Sequence, residues 1–195
     1  MARQEEILKA AISVLAKKGF QSTKIRDIAK AAGVADGTIY LYFKNKDELL
    51  VRLFEEVMKR VLGILASALE KVTTPEDKLR CFLHTHLHMV EEEPEIASII
   101  SVVLRQSTTF LTEYENTLFV EYLQLLQNIV QEGIDEGVFH SGVDPVITSR
   151  ALFGAVDELA LAWLMSSQKI SLEHTSQVIA NMALSGLCQP SSRTT

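Results

Sequence analysis

Cysteine is scarce in this chain and strand patterning is missing. Only Cys81 and Cys188 occur in 195 residues, far apart and in no metal-binding or redox spacing. A disulfide framework and a cysteine zinc site are therefore excluded, and both residues read as small apolar groups in a reducing cytosol. No run alternates with a period of two and no Asn-Gly hairpin occurs, which argues against a β fold. No apolar run suits a bilayer: the longest candidate, Ala151 to Met165, is interrupted by Asp157 and Glu158. The opening is charged at once through Arg3, Glu5, Glu6 and Lys9, which predicts no signal peptide. There is no internal repeat, Ser-His-Asp pattern, phosphate loop or zincin motif, so neither an enzyme nor a cofactor is expected. The expectation is a cytoplasmic protein without a membrane partner.

What is present is apolar and helical. Hydrophobic residues make up 47% of the chain, which excludes bulk disorder. A chain this long buries roughly 70% of its unfolded surface, enough for a core without staples. The net charge of -6 is unevenly spread. Residues 1–50 hold 9 Lys and Arg against 6 Asp and Glu; the remainder holds 10 against 19. A basic small part on an acidic large one suggests that only the N-terminal part meets a polyanion.

Ile7, Leu8, Ala11, Ile12 and Leu15 make one apolar face of a first helix, which Gly19 ends. Thr23 is placed to cap a short second helix with Asp27 in its first turn. Gly33 breaks that helix, and a third runs from about Asp36 to Tyr42. Asn45 caps a long fourth helix, with Glu48 completing a capping box. Three of the four prolines open later helices: Thr74-Pro75, Pro94 and Asp144-Pro145. Ser171 caps the last helix, which ends near Leu187. The fold class is all-α, about nine helices. A three-helix unit over residues 1–47 is joined by the long fourth helix to a larger helical domain over 48–188, and 189–195 form a flexible tail.

The stretch VADGTIYLYFKNKDELL, Val34 to Leu50, carries the sharpest signal. A short helix, a glycine turn and a second short helix make a helix-turn-helix, whose second helix enters the major groove. Gly37 lets backbone approach phosphates without a Cβ in the way. Thr38 can donate to a phosphate or touch a thymine methyl. Tyr40 and Tyr42 reach phosphates or base edges with a hydroxyl, and Lys46 neutralises a flanking phosphate. Thr23 and Lys24 are expected to meet the backbone across the groove. Ile39 and Phe43 face inward. The same tyrosines also fit a partly buried helix with a solvated basic rim.

TKIRDIAKAAGVADGTIYLYFKNKDELL closely resembles the signature of TetR-family transcriptional repressors, over about the first quarter of the chain. The resemblance implies a ligand-binding and dimerisation domain in the remainder. Ala35 departs from the usual capping serine or threonine, and Asp36 would repel a nearby phosphate. LRQS at Leu104 to Ser107 and FGAVDELALAWLMSSQK from Phe153 resemble the FadR-type members of that family. These repress fatty-acid degradation genes and release DNA on binding long-chain acyl-CoA.

Other features stay ambiguous. His84 and His88 share a helix face, as metal ligands or as a polar side, with His86 pointing away; no fixed third ligand is evident, and no metal site is expected. Arg105 reads as a solvated helix end or as a charge at a pocket mouth. Trp163 reads as core or as a ligand contact.

The helix from Pro145 is apolar on more than one side, and the last helix adds Val178, Ile179 and Met182. Both suit a homodimer through the last two helices, which the TetR resemblance also implies. Two recognition helices would then read a palindromic double-stranded operator. An effector favouring another separation would release it, with the fourth helix as the coupling element. The subgroup resemblance makes the effector a long-chain acyl-CoA. Apolar faces offer Phe82, Leu83, Met89, Ile99, Val103, Phe110, Phe119, Leu123, Leu126 and Phe153 as lining. Arg105 is the expected phosphate partner, among few cations that include Lys78, Arg80, Arg150 and Lys169. A drug-like cation facing Glu158 or Asp157 is the alternative effector, implying control of efflux. A ligand-binding module whose N-terminal unit contacts protein is the alternative class.

Overall fold

The computed structural model describes residues 2–106, 117–168 and 170–188, with the backbone alone for 2 and 102–106. Among the described residues there are nine α-helices and no strand beyond one isolated bridge, Phe139 to Cys188. In chain order they are α1 (Ala2–Ser22), α2 (Ile25–Ala31), α3 (Asp36–Tyr40), α4 (Lys46–Leu69) and α5 (Pro75–Glu92). There follow α6 (Pro94–Gln106), α7 (Thr117–Asp135), α8 (Pro145–Met165) and α9 (Leu172–Leu187). The all-α class is as expected.

The caps explain most boundaries. Thr74 Oγ1 accepts from Asp77 N at 3.2 Å, with Pro75 at the first helical position where no amide partner is needed. Asp144 accepts from Val146 N and Ile147 N at 2.8 and 3.0 Å, and Ser171 from His174 N at 3.1 Å. Asn45 accepts from Glu48 N at 2.8 Å, but the Glu48 carboxylate accepts from Lys44 N rather than from Asn45. The cap expected at Thr23 falls at Lys24, whose N–H donates to Asp27 Oδ2 at 3.0 Å. Thr23 instead donates its hydroxyl to the Gly19 carbonyl at 2.7 Å and is buried. Gly19 has φ +72, so α1 breaks there as expected, although its last residues wind on to Ser22.

The chain forms two compact units. The first comprises residues 1–60 and 93–114: α1, α2, α3, the first part of α4, and α6. Here α6 packs on α1, α1 on α2, and α2 on α3. Ile7, Ala11, Ile28, Ile39 and Leu49 are wholly buried. The second comprises 61–92 and 115–195. In it α5 packs against α7, α8 and α9, with α8 also on α7 and α9. Its core includes Leu79, Leu83, Leu87, Leu126, Val130 and Val156. Gly133 on α7 leaves room for the Phe139 ring, which occupies the place a Cβ would take. The Gly133 carbonyl accepts from both Val138 N and Phe139 N, at 2.9 and 2.8 Å, closing the α7 turn.

Candidate functional site

The first unit carries an exposed polar face. Gly33, φ +66, closes α2, and Val34 N donates to the Ala29 carbonyl at 3.0 Å, so the chain reverses into α3. Ala35 caps α3 without a side-chain bond, as its missing hydroxyl requires. Ile39 and Phe43 are buried, and their anchoring turns the neighbouring side chains out. Tyr40 and Tyr42 are 55% and 40% exposed, so both rings present surface to solvent. Gly37 is exposed with ordinary φ, and a Cβ there would meet nothing within 4 Å. Among the described residues no neighbour requires glycine at 37. Thr38 is half-buried; Lys24 is exposed.

Two of the proposed contacts are engaged within the protein. Lys46 Nζ donates to the Phe20 carbonyl at 2.7 Å and the Thr23 carbonyl at 3.2 Å, and sits 4.1 Å from the Phe20 ring centre. Its charge meets the carbonyls left at the end of α1. Thr23 faces the same turn, with its proton held by Gly19. Both therefore fix the turn between α1 and α2. Asp27 joins them: the Lys24 amide, then Lys18 at 3.0 Å, hold its carboxyl below the usual range.

The second unit holds an aromatic cluster. Tyr122 lies 5.2 Å from Phe82, 6.2 Å from Phe119 and 5.8 Å from Phe153, and Phe119 meets Phe153 edge-on at 5.0 Å. Phe82 and Leu123 are buried; Met89, Phe119 and Phe153 are half-buried. Inside the cluster, Tyr122 Oη lies 2.8 Å from His86 Nδ1. Burial lowers the His86 pKa to about 4, and burial followed by the Asp157 charge raises that of Tyr122. Tyr122 was not foreseen. A hydroxyl on an apolar face asks for a partner, but nothing local in sequence points 36 residues back to His86.

Several expected residues also make contacts within the protein. Trp163 is buried, and its indole N–H donates to the Ile170 carbonyl at 2.9 Å, tying α8 to the segment before α9. Lys78 pairs with Glu132 and Arg80 donates to Asn181 Oδ1 at 2.7 Å; Arg150 is exposed. Ile99 is buried in the first unit. The side chains of Val103 and Arg105, and all of Ser107, Phe110, Lys169 and 189–195, lie outside the described residues. His84 and His88 stack at 5.9 Å with His86 turned inward. Among the described residues no group of three His, Cys, Asp or Glu could hold a metal ion. Nor is any described helix long and apolar enough to cross a membrane.

A helix-turn-helix with an exposed tyrosine face, followed by a larger helical body, defines a DNA-binding regulator. Family comparison agrees: residues 7–53 match the bacterial regulatory proteins of the tetR family, and 54–186 match the C-terminal region of YsiA-like proteins. The chain belongs to the TetR family of transcriptional regulators. It is 34% identical to the fatty acid metabolism regulator protein of Bacillus subtilis, over 93% of this chain and 94% of that protein. The crystal structure of Bacillus subtilis FadR in complex with stearoyl-CoA is similar with a TM-score of 0.87 at 34% identity, covering 93% of this chain and 98% of that one. Bacillus halodurans FadR, a fatty acid degradation regulator, gives 0.88 at 34% identity over 95% and 96%.

Proposed function

We propose that this regulator represses genes of fatty-acid metabolism and leaves its operator when it binds a long-chain acyl-CoA. The observation that carries this reading is its likeness, along nearly the whole chain, to a FadR bound to stearoyl-CoA. The aromatic cluster in the second unit supports it, since each buried methylene contributes about 0.8 kcal/mol before losses and a long chain outbinds a short one. Arg105, on α6, is proposed to pair with a coenzyme A phosphate, where a guanidinium binds in bidentate fashion.

DNA contacts are proposed for Lys24, Gly37, Thr38, Tyr40 and Tyr42, with Thr23 and Lys46 as positioning residues. Residues 1–47 would act as the reading head and 48–188 as the effector and dimer domain. The dimer would form through α8 and α9. An exposed stripe on α8, Ile147, Ala151, Gly154, Glu158, Ala162 and Met165, recurs every three or four residues and is mostly small or apolar. Val178 and Met182 are exposed on α9. Small residues let two helices approach closely, and a two-fold pairing would set two α3 helices about 34–36 Å apart on a palindrome. Because α4 contributes residues to both units, it is the proposed coupling element. A hundredfold release needs about 2.7 kcal/mol of differential binding.

The test is displacement from a selected operator fragment by acyl-CoA of graded chain length, free fatty acids and hydrophobic cations. Release by C16–C18 acyl-CoA, weakened in Arg105→Ala, is expected. Release by cations alone, or without chain-length dependence, would contradict the reading.

A further inference from the structure

Leu41 is 80% exposed, more than any other large apolar side chain among the described residues. The next most exposed, Met165, Met182 and Ile147, lie on the α8 and α9 faces already proposed for the dimer. Leu41 keeps helical backbone at the end of α3, with φ -72 and ψ -21. Phe43 N donates to the Ile39 carbonyl at 3.0 Å, so these two buried residues sit one turn apart on the inward side. Leu41, midway between them in sequence, lies about 200° round the helix from Ile39, at the centre of the outward face. The exposed Tyr40 and Tyr42 flank it, and Gly37 precedes it by one turn on the same face. A Cβ at Gly37 would meet nothing within 4 Å. Bare backbone therefore lies beside the leucine, where a base edge can approach closely.

We propose that Leu41 determines operator specificity by packing on the 5-methyl group of a thymine in each half-site. This rests on the docking of α3 in the major groove set out above. A leucine side chain brings neither donor nor acceptor. The other recognition groups on the major-groove edges are polar: N7, O6 and N4 of a G·C pair, and N7, N6 and O4 of an A·T pair. Leucine set against those would strip water from them and return no hydrogen bond. The thymine methyl gains instead from burial against an apolar side chain. Thr38, Tyr40 and Tyr42 surround Leu41 with the proposed polar contacts. Those that go to phosphates fix position only, so the apolar contact supplies base preference at the centre of the face.

The experiment replaces thymine by deoxyuridine in a selected operator fragment, one position of the half-site at a time. Only the methyl is lost; base pairing and the O4 acceptor stay. Affinities are read by fluorescence anisotropy for the intact parent, Leu41→Ala and Leu41→Glu, with helicity checked by circular dichroism. In the parent, one position is expected to cost about fourfold per half-site, the worth of one buried methyl. In Leu41→Ala the same replacement should cost less than about 1.5-fold. Leu41→Glu sets a carboxylate against the groove and should weaken binding by about tenfold or more on every fragment. A parent indifferent to every replacement overturns the proposal. So does a dependence that Leu41→Ala retains in full, which would assign the methyl to another residue such as Thr38. Parental affinity in Leu41→Glu overturns the docking of α3 itself, on which the tyrosine contacts also depend.

Discussion

The Lys46 ammonium lies 2.7 Å from the carbonyl oxygen of Phe20, a residue 26 positions earlier, and against the same residue's ring. A lysine at the start of α4 thus holds the end of α1. Lys46→Met is expected to destabilise the protein by about 1–2 kcal/mol in urea unfolding, through loss of charged hydrogen bonds that water replaces in part. Its effect on DNA should be indirect. The slope of log affinity against log salt should match the parent, whereas a slope reduced by about one would show a lost phosphate contact.

The exposed tyrosines should behave in the opposite way. Tyr40→Phe and Tyr42→Phe each remove a solvent-facing hydroxyl, so stability should stay within about 0.5 kcal/mol of the parent. Operator affinity, read by fluorescence anisotropy, should fall about fivefold to tenfold for each hydroxyl that contacts DNA. Unchanged affinity in both variants would remove these hydroxyls from the interface.

His86 makes stability depend on pH. The unfolded chain takes up a proton near the ordinary histidine value of 6.5, while the folded protein resists until about 4. Between those values the unfolded state binds more protons, so stability is lost as pH falls through the window and levels off below it. One such group contributes at most about 1.4 kcal/mol per pH unit. His86→Gln removes the titration. Urea unfolding at pH 7, 6 and 5 should show the parent losing stability faster than the variant; parallel losses would contradict the buried neutral state.

At Gly133, an added methyl would collide with the enclosed ring of Phe139. Gly133→Ala should cost about 1–3 kcal/mol and lower Tm by several degrees, since neither the α7 backbone nor a fully buried phenyl can move freely.

These cases separate what was legible in the sequence from what was not. Helix starts at Thr74, Asp144 and Ser171 were readable because a cap and its amides lie within three residues. Ile39 and Phe43 were readable as inward-facing from helical spacing, which also left Tyr40 and Tyr42 outside. Thr23 was misplaced because a hydroxyl before a helix can bond backwards as well as forwards, and the break at Gly19 offered it a carbonyl. Lys46 and the His86–Tyr122 couple depend on contacts across 26 and 36 residues. Only tertiary packing supplies those. Trp163 fitted either role by composition, and nothing in the sequence around it foretold its bond to the Ile170 carbonyl.

Linkage makes the proposed coupling of acyl-CoA binding to DNA release measurable from the ligand side. Stearoyl-CoA affinity should be determined by calorimetry with and without saturating operator DNA. Coupling must be reciprocal: whatever factor stearoyl-CoA imposes on DNA affinity, DNA must impose on stearoyl-CoA. Saturating DNA is expected to weaken stearoyl-CoA binding by about tenfold to a hundredfold, equal to the loss of DNA affinity caused by the ligand. Stearoyl-CoA binding that is equally tight with and without DNA would contradict it.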